Sequence, residues 1–481
     1  GYFLQPIFNC CLINLEDMLD NGTVINGKLI ETPKSFKVAC IVTSQIIAAV
    51  ASNQYGEQSV DIKCLGKYLR KSYIKLKNKL EEKYNGKLSD DIIEDIANQS
   101  LQAELISGVQ TMQYQLNTLM TTNGKVPNVT LFLNLDEENK YLKENAMIIE
   151  EILKQRYEGM KNEKGEDVSP VFPKLVYVLY EHNCLKGGKY DYITKFATKC
   201  IQKRLQPSCI SAKKMRENYD GNVFSPMGSS NFLLPFKSKD GNYKFEGRFN
   251  QGVVSINLPQ IAIVSDGDEE KFWELLDERL DICYEALMCR HYALIGTLSD
   301  TSPIHWKYGA IARLKSGQKI DELLKDGYST ISLGYIGIYE VTRLMKGVST
   351  SEGHDFAIKV MKKLEETTKR WKKETGLGFG LYGIPSKSLS YRFAKIDKER
   401  FGIISDVTDK GYYTNSYHVD DREKMDVLKR LSFENEFQKL SLGGALSYVE
   451  ISDMNSNLND LEKLVEFIYN NIQYVEFKHK K

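Results

Sequence analysis

Short, wholly apolar runs alternate with amphipathic stretches through the middle of this chain, and nothing else in the sequence constrains its fold as tightly. VTLFLNL (129–135), KLVYVLY (174–180), GVVSINL (252–258), STISLGYIG (329–337) and GFGLYGIP (378–385) read as strands. Between them, Lys143 to Tyr157, Tyr190 to Arg204 and Asp268 to Arg290 read as helices, the last with Phe272, Leu276, Cys283 and Leu287 at helical spacing. A strand that lacks polar alternation is buried on both faces, as in a parallel sheet covered by crossover helices. The pattern predicts one large α/β body.

A helical layer precedes it. Ile7 to Leu15 reads as a strand, and residues 31–52 as a helix with Thr32 as N-cap and Pro33 in its first turn. Two longer helical patterns follow, a Lys-rich one from Val60 to Tyr84 and one from Ser89-Asp90-Asp91 to Leu119, separated by Asn85-Gly86. From Tyr219 to Phe249 the periodicity stops. A stretch of that length inside a compact body is either a surface excursion or a functional loop. Its centre, Phe232-Leu233-Leu234-Pro235-Phe236, is too apolar for solvent and favours a loop thrust into the protein.

Composition narrows the function. Lys+Arg 65 against Asp+Glu 64 leaves a net charge of +1 over 481 residues, so no global field attracts nucleic acid or an anionic membrane. The longest nearly apolar run, Ala39 to Ala51, is too short to span a bilayer, and no basic segment precedes the first apolar stretch as in a secretory signal. Nine cysteines with no CxxC pair point to reduced thiols in a cytoplasmic protein. The six histidines show no HxxxH or HExxH spacing, so none is assigned to a metal. A chain that opens on Gly1 reads as a fragment or a processed protein.

Eight segments in order carry a resemblance: FNCCLINL (8–15), ETPKSFKVA (31–39), VFPKLVYVL (171–179), SPMG (225–228) with Phe232-Leu233, GRFNQGVVSINLP (247–259), EALMCR (285–290), SLGYIGIYE (332–340) and DVTDKGYYTNSYHV (406–419). Together they resemble the anaerobic, class III ribonucleoside-triphosphate reductases, a glycyl-radical enzyme family of deoxyribonucleotide biosynthesis. The resemblance implies an α/β barrel of about ten strands, built from two parallel half-barrels. A central finger loop (about 219–249) and an added helical layer (about 32–122) complete one reductase domain over 1–481. It implies ribonucleoside triphosphates as substrates, deoxynucleotide or ATP effectors, formate as reductant, a homodimer and a radical-SAM iron–sulfur activase. No cofactor is expected within these residues. The family's ATP cone, zinc site and glycyl-radical loop are expected to lie outside them.

Site residues follow by position. The family motif PMGCxxFL puts Ser229 where the thiyl cysteine stands, beside Met227 and Gly228. Cys10 takes the place of the second cysteine, preceded by Asn9, and Asn250 that of an active-site asparagine. Only one of Cys10 and Cys11 can face the site, since side chains alternate along a strand; apart from the resemblance both read as small core residues. Pro385, Ser386, Ser388 and Leu389 match a substrate-phosphate loop, against the plainer reading of a strand-to-helix turn with N-caps. An S–H bond is weak enough to yield its hydrogen to a glycyl radical and a serine O–H bond is not. The chain is therefore expected to be inactive as given.

Other positions depart from the family pattern. Lys387 stands where Glu is usual, Ser390 where Cys is frequent, Asn53-Gln54-Tyr55-Gly56-Glu57 replaces His-Gln-Tyr-Gly-Gly, and Ala445 follows Gly443-Gly444 where His or Cys is usual. The alternative expectation is a non-catalytic, nucleotide-binding paralogue that regulates or partners a reductase.

Overall fold

A computed structural model of the chain describes residues 8–122, 124–451 and 457–479, and of Ser229 the backbone only. Ten strands form one sheet: β1 (Cys10–Ile13), β2 (Gln58–Asp61), β3 (Val129–Leu133), β4 (Lys174–Leu179), β5 (Ser208–Ser211), β6 (Arg248–Asn257), β7 (Thr330–Ile336), β8 (Gly378–Tyr382), β9 (Ser447–Ile451) and β10 (Tyr474–His479). Their order is β8-β7-β6-β1-β2-β3-β4-β5-β10-β9. β1 to β5 pair in parallel, as do β6 to β8, and β9 with β10. Two antiparallel seams, β1 with β6 and β5 with β10, join the halves. The ring closes between β8 and the segment ahead of β9: Gly443 N–H donates to the Leu381 carbonyl at 2.8 Å, and Gly383 N–H to Gly444 at 2.8 Å. This is the α/β barrel of two parallel halves that the sequence led us to expect.

The apolar runs became strands where expected, and the polar ones escaped notice. Val60 and Asp61 read as the start of a helix, yet they belong to β2, Gln58–Asp61, which is buried throughout because Gln58 donates to the Ile47 carbonyl at 2.9 Å and Asp61 caps Lys63. The helix itself begins only at Leu65. The first helix of the layer is Phe36–Ala51, with Ser35 at its N-cap. Thr32 does not cap it; its hydroxyl donates to the Asp20 carbonyl at 2.8 Å. Helices Leu65–Tyr84 and Asp90–Thr118 follow, and Gly108 brings Asp90–Thr118 onto Phe36–Ala51: a methyl group there would lie 2.8 Å from the Phe36 ring. No helix of the described residues is long and apolar enough to cross a membrane.

The loop 219–249 runs into the barrel. Tyr219, Phe232 and Leu233 are fully buried, and Phe232 stacks on Tyr219 at 5.7 Å and meets Tyr474 of β10 edge-on. Phe232 N–H donates to Gly443 at 2.9 Å, tying the loop to the closing segment. Its base is held by Arg248, whose buried guanidinium donates to four carbonyls, Leu234 at 2.9 Å, Lys244 at 2.9 Å, Tyr328 at 2.6 Å and Gly327 at 2.7 Å. Two of these belong to the loop and two to the barrel wall. Replacing Arg248 by Met keeps the stem and strips the donors, leaving buried acceptors unsatisfied at about 1–3 kcal/mol each. Arg248→Met is expected to lower the urea-unfolding free energy by roughly 3 kcal/mol or more and to speed amide exchange over 232–246; unchanged exchange there would show that the loop has another anchor.

Candidate active site

At the seam between the halves, Cys10 lies directly opposite Asn250. Residues paired across an antiparallel ladder project to the same face, so both side chains point into the barrel. Cys10 Sγ approaches Met227 Sδ of the finger loop to 3.9 Å. Cys11 points the other way, its thiol donating to Gln54 Oε1 at 3.2 Å. Burial raises the pKa of Cys10 well above that of a free thiol, and Cys11 and Glu57 raise it further. Cys10 is therefore a neutral thiol, able to give up a hydrogen atom rather than to act as a thiolate.

The finger tip is one tight turn. Met227 N–H donates to the Asn231 carbonyl at 2.7 Å around a single 3-10 turn, Gly228–Ser230, and Ser230 takes φ 63°. Gly228 presses on the backbone and Cβ of Glu57, so that no side chain fits at this position. Ser229 contributes its backbone to the turn; its side chain lies outside the described residues. Beyond the tip, Asn231 Nδ2 donates to Ser332 Oγ at 3.0 Å, and Asn250 Nδ2 donates to the same oxygen at 2.8 Å and to Thr330 at 3.1 Å. Asn9 extends the seam through its N–H, 3.0 Å from the Asn250 carbonyl, and its own carbonyl packs on Gly56.

Behind the wall, Gln54 braces the loop that backs the tip. Its Nε2 donates to the carbonyls of Gly56 at 3.1 Å and Glu57 at 3.2 Å, while its Oε1 lies 3.3 Å from His305 Nε2. His305 Nδ1 meets Ser302 Oγ at 2.6 Å, which satisfies a neutral imidazole on both nitrogens.

A charged mouth leads to the tip. Lys174 at the start of β4 pairs with Glu57 at 3.6 Å. Glu476 of β10 has its carboxyl raised by burial and by Glu57, against the opposing pull of Lys174 and Lys387. A cavity of about 290 Å³ is lined by Lys174, Arg204, Met227, Ser230, Tyr474 and Glu476. A second, of about 450 Å³, is lined by Lys387, His418, Arg430, Glu434, Glu476 and Lys478. Glu476 thus stands between the finger tip and the segment Pro385 to Leu389. There Ser386 caps the helix Lys387–Phe401 by accepting from Leu389 N–H at 3.3 Å, Ser386 and Ser388 hydroxyls are 3.3 Å apart, and Pro385 ends the strand-to-helix link.

The structure therefore brings Cys10, Asn9, Asn250, Met227 and Gly228 together and sets Pro385, Ser386, Ser388 and Leu389 apart at the mouth. Sequence reasoning passed over Asn231, Ser332, Lys174 and Glu476. Asn231 sits at a variable position of the finger motif, and Glu476 on a strand too polar to be recognised. Among the described residues no three His, Cys, Asp or Glu side chains gather as a metal site would require.

Comparison with known proteins follows this geometry. The family model for anaerobic ribonucleoside-triphosphate reductase matches residues 1–481. The anaerobic ribonucleoside-triphosphate reductase of Enterobacteria phage T4 is 38% identical over 480 residues, covering 98% of this chain and 76% of the phage protein. That of Escherichia coli strain K12 is 37% identical over 484 residues, covering 98% of this chain but only 65% of the bacterial protein. In fold, the chain is similar to the anaerobic ribonucleotide reductase of Thermotoga maritima crystallised with dATP and CTP, with a TM-score of 0.69 at 16% identity over 98% of this chain and 75% of that one.

Burial holds His305 down to about 3, against about 6.5 in an unfolded chain. The folded protein cannot take up the proton that the unfolded chain binds below about pH 6.5. The stability that neutral His305 confers is complete above that pH and is lost as the pH falls toward 3, at up to about 1.4 kcal/mol per unit. Urea-unfolding free energies measured between pH 7 and 5 are expected to decline less steeply for His305→Gln than for the parent; parallel slopes would place the acid sensitivity elsewhere.

Proposed function

Because this chain belongs to the anaerobic ribonucleoside-triphosphate reductase family, we propose that its barrel binds ribonucleoside triphosphates and is built for their reduction to deoxyribonucleotides. The observation that carries this reading is the facing pair Cys10 and Asn250 with the finger loop driven against it, Met227 lying 3.9 Å from the Cys10 thiol. Cys10 takes the place of a hydrogen or proton relay beside formate. Asn9 and Asn250 orient substrate or formate. The triphosphate lies at the mouth, where the first N–H groups of the helix Lys387–Phe401, with Ser386, Ser388 and Lys387, receive its charge. Helices Leu65–Tyr84 and Asp90–Thr118 supply a homodimer face and the place of deoxynucleotide or ATP effectors. A radical-SAM activase is the partner that installs the glycyl radical, and the cytoplasm is the compartment.

A glycyl radical supplies a one-electron oxidant that draws a hydrogen atom from a thiol. The finger tip does not fit that chemistry, because Ser229 offers an O–H bond too strong to be broken this way, so no radical step is assigned to this chain. The changes at Asn53, Glu57, Lys387, Ser390 and Ala445 accompany Ser229 and favour a second reading, a non-catalytic nucleotide-binding paralogue.

One experiment separates the two. The chain and its Ser229→Cys variant are each incubated with an activase, a glycyl-radical domain, formate and the four ribonucleoside triphosphates, and deoxynucleotide is measured alongside calorimetric nucleotide binding. The expected result is binding by both and turnover by Ser229→Cys alone. Binding without turnover by either supports the paralogue. Turnover by the unmodified chain, or no binding at millimolar nucleotide, overturns the reading.

A further inference from the structure

The helix Lys387–Phe401 carries five cations, Lys387, Arg392, Lys395, Lys398 and Arg400, and all five are exposed. One carboxylate, Glu399, shares that outer face. The other acid, Asp397, is fully buried and turned inward, where it accepts from Asn257 at 2.8 Å, Gln260 at 2.6 Å and Tyr413 at 2.8 Å. Among the described residues no carboxylate lies within ion-pair distance of any of the five. Arg392 and Arg400 rest on the rings of their own neighbours, Phe393 at 5.9 Å and Phe401 at 5.0 Å. A basic helix that merely faces solvent is interleaved with acids. On His354–Thr375, for comparison, Lys359, Lys363 and Lys369 are each paired, with Glu269, Asp277 and Glu365.

Spacing turns these charges into a line. Lys387, Tyr391, Lys395 and Lys398 follow one another at intervals of three or four residues and so share one stripe of the helix, with Arg392 beside it. At a rise of about 1.5 Å per residue, Lys395 lies about 12 Å and Lys398 about 16 Å along the axis from Lys387. Lys387 is itself at the mouth, where it lines the cavity of about 450 Å³. That cavity offers a polyanion no net attraction of its own, because four carboxylates line it against three cations. Nor does the chain as a whole, with its net charge of +1. The excess of positive charge on this side of the mouth belongs to the helix.

We propose that this face is an electrostatic guide for the triphosphate: Lys398, Lys395 and Arg392 attract the polyanion from solution and pass it toward Lys387 and the loop Pro385 to Leu389. The inference rests on the reading that the mouth receives a ribonucleoside triphosphate, and it adds a route of entry and a preference among nucleotides that acts before docking. Attraction in water grows with the product of the charges and fades over the screening length, about 30 Å at 0.01 M salt and about 3 Å at 1 M. At low salt the whole stripe therefore acts on an incoming ligand, and at high salt only a residue in contact does. A guide of this kind speeds association without holding the bound ligand. Triphosphates gain most from it, and monophosphates, with about half the charge, gain less.

The test is stopped-flow mixing of the intact chain with ethenoadenosine triphosphate, a base-labelled ribonucleotide whose sugar and phosphates are free, and with the matching monophosphate, at salt from about 0.01 M to about 1 M. The parent is compared with Lys395→Gln/Lys398→Gln and with Lys372→Gln/Lys373→Gln, which removes the same charge at the opposite end of the barrel, just ahead of β8. The expected result for Lys395→Gln/Lys398→Gln is a roughly tenfold fall in triphosphate kon at about 0.01 M salt, about threefold for the monophosphate, and none at about 1 M. Its koff stays that of the parent, and Lys372→Gln/Lys373→Gln keeps the parent's kon. An unchanged kon at low salt overturns the guide, as does an equal loss in Lys372→Gln/Lys373→Gln, which would leave net charge as the cause. A raised koff overturns it too, since the two lysines would then hold the bound ligand. Equal slowing of both nucleotides at every salt, the mark of a structural defect, does the same. No binding by the parent at millimolar nucleotide overturns the nucleotide reading of the mouth itself, whereas every outcome with binding judges the guide alone.

Discussion

The antiparallel seam between β1 and β6 is the constraint on which the rest depends. It joins two parallel half-barrels whose strands run in opposite directions, and its register places Cys10 across from Asn250 and Leu12 across from Arg248. A slip of one residue would set Cys11 in place of Cys10 on the face that Asn250 shares, because strand side chains alternate. The register is held from both ends. Asn9 N–H bonds the Asn250 carbonyl beyond the strand, and Arg248 is locked by four carbonyls from the wall and the finger loop. The same arginine that fixes the strand therefore fixes the loop that fills the barrel, and the distance from Cys10 to Met227 follows from both.

How much of this the sequence disclosed divides by chemistry. Strands buried on both faces by apolar side chains, such as Val129–Leu133 and Lys174–Leu179, could be read directly. Gln58–Asp61 and Ser208–Ser211 are as deeply buried, but their burial is made possible by hydrogen bonds to distant partners, Ile47 for Gln58 and Tyr469 for Ser211. No local pattern contains that information. Cys10, Asn250 and the finger loop could be found because they sit in motifs. Asn231, Ser332 and Glu476 take their meaning from neighbours about a hundred or more residues away, and only the folded chain makes them neighbours.

The finger loop separates shape from reactivity. Its turn, its aromatic packing on Tyr219 and Tyr474, and the glycine pressed on Glu57 give it a fixed shape. On the reading proposed above, the tip carries the oxygen of Ser229 where the family motif has a sulfur, and an O–H bond is far stronger than an S–H bond. Stability and catalysis thus make different demands on the same turn: the first is met by backbone geometry that Gly228 permits, the second by an element that backbone geometry cannot supply. A barrel can lose the second while every contact that supports the first persists.

The charges at the mouth converge on one carboxyl. Lys387 stands at the first position of a helix, where the macrodipole disfavours a cation. Glu57, on the opposite side of the mouth, pairs with Lys174. Both act on one carboxyl, Glu476, which Lys174 and Lys387 pull down and Glu57 pushes up. An N-terminus with a lysine on it is poor for an isolated helix and favourable for one that meets a polyanion. On the reading proposed above, the triphosphate at the mouth offsets the unfavourable placement of Lys387.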